Sequence, residues 1–167
     1  MFADEINKRV RTIIRKTGTS DPFEIAREMG IMIRYSNEFT ELKGLYTIIK
    51  RKRVIILNAN ITRQKQKIVC AHELGHDILH RQFAKNSIFQ EFTLYDMTAR
   101  PEYEANMFAA ELLISDIQIH ELSGYDMEQI AKKLNTDINL VGIKLANMNY
   151  RGCNFNIGIP PENNFLN

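Results

Sequence analysis

His72-Glu73-Leu74-Gly75-His76 sets two imidazoles four residues apart, with a carboxylate beside the first. On a helix, residues four apart share a face, so both rings can offer a nitrogen to one metal ion. Glu73 lies about 100° around the helix from His72, so it need not ligate and can instead move protons on a water at the metal. Two imidazoles and a carboxylate base in this arrangement point to Zn2+ and to hydrolysis of an amide bond. A catalytic zinc usually takes three protein ligands and keeps the fourth position for water, so one more ligand is required.

The elements that must position these groups follow from the neighbouring sequence. Ile68, Ala71, Leu74, Ile78 and Leu79 spread around the helix, which is expected to run from Ile61 to about Arg81, capped by Asn58 or Asn60 and largely buried. Burying imidazoles and a carboxylate is costly unless they are paired or metal-bound. The third ligand is sought in Arg100 to Leu113, where apolar spacing and the early Pro101 read as a second helix. There Glu102, Asn106, Ala109 and Leu113 share one face, while Glu104 and Glu111 fall nearly opposite. Glu102 is therefore assigned as ligand, and Glu104 and Glu111 to solvent. Asn106, one turn after Glu102, can accept a hydrogen bond from the non-ligating nitrogen of a histidine ligand. His80 continues the four-residue spacing one turn further and reads as packing or as support for the ligands, not as a ligand.

His72-Glu73-Leu74-Gly75-His76-x-x-Leu79-His80, followed by Glu102-x-Glu104-Ala105-Asn106-x-Phe108-Ala109-x-Glu111-Leu112-Leu113, resembles the ImmA/IrrE family of small metallopeptidases. The similarity extends upstream through Asp21 to Ile31 and Leu42 to Tyr46, covering most of residues 20–115. The resemblance implies a zincin-like core, Glu102 as the ligand glutamate and Asn106 as its supporting residue. It also implies cleavage of a partner repressor, of the helix-turn-helix kind found on phages and other mobile elements.

Length and composition suit this reading. The 167 residues are 44% hydrophobic, enough for one domain with a real core, with the peptidase core over about 20–115 and a helical region over about 116–150. A net charge of +2, from 22 basic and 20 acidic residues, is too balanced to make nucleic acid or an anionic membrane the main partner. Cys70 and Cys153 form no CxxC pair, the N-terminus has no signal-peptide pattern and no apolar run reaches a membrane span, so a reducing, cytoplasmic setting is expected.

The fold class expected is α+β. Ile6, Val10, Ile13 and Ile14 mark a first helix ending near Gly18; Asp21, Pro22 and Glu24 start a second with a capping-box-like arrangement, and Gly30 stops it. Ile31 to Tyr35, Leu45 to Ile49 and Val54 to Leu57 form a small antiparallel three-stranded sheet, with Lys50, Arg51, Lys52 and Arg53 at a solvated hairpin tip. Aromatic residues in 82–97 line a cleft or tack a loop to the core, and the chain from Asn147 onward is expected to be irregular. Met127 to Leu134 and Ile138 to Ala146 have the cadence of a helix-turn-helix, but Asn139 and Lys144 are few readers for DNA, so packing or partner recognition is preferred. Two other functions compete with peptide hydrolysis. One is a zinc-stabilised anti-repressor that sequesters its partner uncut, against which Glu73 argues; the other is a DNA-binding regulator using the C-terminal helices.

Overall fold

The computed structural model of the chain describes residues 2–81, 89–91 and 100–155. In chain order the elements are α1 (Phe2–Thr17), α2 (Pro22–Glu28), β1 (Met32–Ser36), β2 (Gly44–Ile49), β3 (Lys52–Asn58), α3 (Arg63–Leu79), β4 (Phe89–Glu91), α4 (Arg100–Leu113), α5 (Asp116–Glu121), α6 (Met127–Leu134) and α7 (Ile138–Tyr150). The class is α+β, as the sequence indicates.

Local chemistry sets most boundaries. Gly18 and Gly30 take φ of +74° and +69°, which ends the first two helices at little cost to glycine. Asp21 Oδ1 accepts from the backbone N–H groups of Phe23 and Glu24 and so caps α2. The reciprocal bond expected from Glu24 is absent, because the Asp21 N–H donates to Thr19 Oγ1 instead. Thr62, not Asn58 or Asn60, caps α3, accepting from the Lys65 N–H. Asn58 is occupied elsewhere: its amide donates to the carbonyls of Phe39 and Leu42 and pins the loop between β1 and β2.

The sheet order is β1-β3-β2-β4. β2 pairs antiparallel with both β3 and β4, but β1 runs parallel to β3, from Met32 opposite Val54 to Ser36 opposite Asn58. The sheet is thus mixed and gains a short fourth strand, where three antiparallel strands were expected. The loop over 37–43 returns the chain so that β2 opposes β1 in direction while leaving a place between them. β3 fills that place by hairpin return, and a strand antiparallel to β2 must there run parallel to β1. Alternating side chains report which face a strand buries, not its place in the order.

One face of the sheet carries α3. Tyr46, Ile55 and Leu57 are buried beneath it. A Cβ at Gly44 would stand 2.4 Å from Val69 Cγ1, so only glycine lets β2 pass this close to the helix. On the other side α4 packs along α3, with a Cβ at Gly75 reaching 3.0 Å from the Ala105 Cα. α1 and α7 also lean on α4, which is therefore enclosed on several sides.

That enclosure overturns one expectation: Glu111 is buried and not in solvent. It accepts from the Lys144 ammonium at 2.8 Å, and from Asn7 and Arg151. Lys144 also donates to Asp116 at 2.6 Å and is 1% exposed, so it cannot read DNA from α7. The α6–α7 pair forms as expected but turns this face into the core, and α7 continues past Ala146 to Tyr150. Of the aromatic connection 82–97, Phe89–Glu91 forms β4 and the rest lies outside the described residues, as does the chain after Phe155. No helix among the described residues is long and apolar enough to cross a membrane.

Candidate metal centre

α3 presents its histidines in a row because the four-residue spacing returns each ring to the side that faces α4. The rings of His72 and His76 meet edge to face with centroids 4.8 Å apart, and their Nε2 atoms are 3.0 Å from one another. From α4, Glu102 Oε2 lies 3.1 Å from His72 Nε2 and 3.4 Å from His76 Nε2. These three ligand atoms, one per residue, all fall within 4.8 Å of one another, a group that could hold a metal ion.

The far side of each ring is engaged. His72 Nδ1 is 2.9 Å from Asn106 Oδ1. An amide oxygen only accepts, so the ring proton sits on Nδ1 and the Nε2 lone pair points into the centre. His76 Nδ1 is 3.1 Å from His80 Nδ1, whose own Nε2 lies 2.8 Å from Glu104 Oε2. Glu104 in turn accepts from Arg100 Nε at 2.7 Å. Glu104 is therefore not in solvent as helical phase suggested, since α4 lies against α3 along enough of its surface for two acidic positions to reach the histidine row.

Electrostatics agree with electron-pair donation. Burial pushes the His76 imidazole down to about 4, outweighing the opposite pull of Glu102, so the ring is neutral at neutral pH. For Glu102, burial alone would raise the carboxyl, but its place beside the His72 and His76 rings holds it well below the usual carboxylate range, so it too offers an electron pair. Glu73, fully buried, projects from α3 toward β2, where its Oε1 lies 3.5 Å from the position a Cβ would take on Gly44.

All five residues singled out in the sequence thus lie on two adjacent helices: His72, Glu73 and His76 on α3, Glu102 and Asn106 on α4. Sequence reasoning missed Asp77. It is fully buried and accepts from Tyr46 on β2, Arg53 on β3 and Arg81 beyond α3, while Arg53 also donates to the Met29 carbonyl. An acid inside an otherwise buried helical run was its signal. Arg53, placed at the solvated hairpin tip by its basic neighbours, is instead half-buried in this pairing.

Comparison with known proteins covers most of the chain. Immunity region protein 2 of Bacillus phage phi105 is 33% identical over 141 residues, covering 83% of this chain and 88% of that protein. Metallopeptidase ImmA of Bacillus subtilis is 28% identical over 145 residues, covering 84% of each. Among solved structures, a Mycobacterium tuberculosis transcriptional regulator superposes with a TM-score of 0.58 at 13% identity, which speaks to the fold alone. The alignment takes in 86% of this chain but only 46% of the regulator, so this chain spans less than half of that molecule. The sequence model of the M78 peptidases, described as the IrrE N-terminal-like domain, matches residues 26–146, the span that holds every residue of the candidate centre, and the chain belongs to that family.

Proposed function

We propose that this chain is a zinc-dependent endopeptidase that cuts a partner transcriptional repressor at a specific site. The observation that carries the reading is the convergence of His72 Nε2, His76 Nε2 and Glu102 Oε2. Three electron-pair donors aimed at one point repel one another unless a cation joins them. Two imidazoles and one carboxylate are a set that zinc peptidases use, leaving one position open, so the residues fit the ion.

Zinc held by these atoms would polarise a scissile carbonyl and render a water nucleophilic near neutral pH. The chain supplies the proton chemistry. Glu73, next to His72 on α3, takes the proton from the attacking water and returns it to the amide nitrogen as the C–N bond breaks. Asn106 keeps the His72 ring turned toward the centre. β4, at the β2 side of the sheet, offers main-chain groups along which an extended substrate segment can lie.

A repressor as substrate is supported by the relatives' names, one a metallopeptidase and one a phage immunity-region protein. The test is intact-mass analysis of a candidate repressor encoded beside this chain, incubated with the zinc-loaded protein and, in parallel, with Glu73→Gln. Two discrete fragments with the wild type alone are expected. A repressor bound but intact in both samples would replace cleavage with sequestration.

A further inference from the structure

We propose that His80 and Glu104 form a one-way hydrogen-bond relay that locks His76 in its metal-binding tautomer, making both positioning residues for metal retention. The proposal rests on the metal-centre reading above. The link between His76 Nδ1 and His80 Nδ1, at 3.1 Å, joins two ring nitrogens, and exactly one of them can carry its proton. Either direction is allowed by that contact alone, and the contact at the other end of His80 decides.

His80 Nε2 lies 2.8 Å from Glu104 Oε2. A carboxylate only accepts, so a singly protonated His80 carries its proton on Nε2, and its Nδ1 accepts. His76 then donates from Nδ1, and its Nε2 keeps a lone pair directed at His72 and Glu102. Reversing the chain would put an N–H on His76 Nε2, aimed at the centre, and would set a His80 lone pair against the Glu104 carboxylate.

The relay is held in place at each step. His80 closes α3, its backbone N–H bonded to the His76 carbonyl at 2.9 Å, and its side chain is buried. Glu104 is steadied from outside by Arg100 Nε at 2.7 Å. His72 has an amide at the equivalent point, in Asn106, so the two ligand histidines are supported by different chemistry. Of the two roles that the four-residue spacing leaves open for His80, packing and support, the arrangement favours support: the ring is too far along the helix to ligate, but one turn from the ring it orients.

The test measures metal affinity by chelator competition, with Zn2+ as the probe, and the visible absorption of the Co2+-loaded protein as a reading of ligand geometry. The proteins are the full chain as wild type, His80→Phe, His80→Gln and Glu104→Leu, each checked for folding by circular dichroism. His80→Phe keeps the ring's bulk but neither accepts nor donates, and should lose about 10–100-fold in affinity with a changed Co2+ spectrum. His80→Gln, which can accept through its oxygen and donate through its nitrogen, should recover most of that loss. Glu104→Leu should weaken binding by about tenfold. Affinities within twofold of wild type and an unchanged spectrum in both His80→Phe and Glu104→Leu would overturn the relay. Failure of the wild type itself to bind Zn2+ would instead overturn the metal centre.

Discussion

The Tyr46 hydroxyl donates to Asp77 Oδ1 at 2.6 Å, tying β2 to α3 one residue beyond the His76 ring. Asp77 also pairs with Arg53 and Arg81, each at 2.8 Å. Removing the acid takes the carboxylate from the part-buried Arg53 and leaves the fully buried Tyr46 hydroxyl without its acceptor. Asp77→Ala should therefore cost about 3 kcal/mol or more, and Tyr46→Phe about 1–3 kcal/mol, in urea unfolding. Equal and small losses would mean that the cluster is solvated and contributes little.

Glu73→Gln preserves shape but removes the proposed base. Peptide hydrolysis should fall by about 100-fold or more while bound metal, counted by atomic absorption, stays at the wild-type level. Loss of metal in this variant would give Glu73 a structural role.

The proposed ligand and the residues behind the histidines should differ in their effect on zinc binding. Glu102→Ala removes a proposed ligand and should weaken zinc binding by more than about 100-fold, whereas Asn106→Ala and Glu104→Ala should stay within the roughly 10–100-fold usual for supporting residues. Titration against a chelator of known affinity separates them, and a larger effect at Glu104 than at Glu102 would exchange their roles.

Acid should loosen the C-terminal helices. Hydrogen bonds from Arg151, and then from Lys144, hold the Asp116 carboxyl well below its ordinary value despite its partial burial. A carboxyl depressed in the folded state stabilises it above the unfolded pKa of about 4, and that contribution is lost as pH falls below it. Thermal melts between pH 6 and pH 2.5 should show stability falling on the acid side, with a shallower slope in Asp116→Asn. Parallel slopes would show that other carboxylates carry the effect.

Close approach of α3 and α4 depends on Gly75. In Gly75→Ala the new Cβ meets the Ala105 Cα at 3.0 Å and Phe108 Cβ at 3.2 Å, and a backbone atom cannot swing aside. Separation of the two helices should cost about 1–3 kcal/mol of stability, and it should weaken metal binding because Glu102 moves with α4. Unchanged affinity in a destabilised variant would mean that Glu102 follows His72 and His76 whatever the helix spacing.

By itself the sequence determined what depends on near neighbours along the chain. Helical period placed His72 and His76 on one face and Glu102 in phase with Asn106, and Asp21 with Gly30 marked the ends of α2, because these features are decided within one or two turns. The match of two separate blocks to one family added the pairing of α3 with α4, which periodicity alone does not supply. Only the tertiary structure decided the fate of Glu104, Glu111, Lys144 and Asp77, all charged and all drawn inward. Their partners lie on other elements: Glu104 reaches His80, Glu111 reaches Lys144, and Asp77 reaches Tyr46 and Arg53. A charged residue reads as solvent-facing when its own helix has one buried side, but α4 is packed by α1, α3 and α7 at once. The parallel pairing of β1 was hidden for the same reason, since the order of strands is a relation between distant segments that no local pattern encodes.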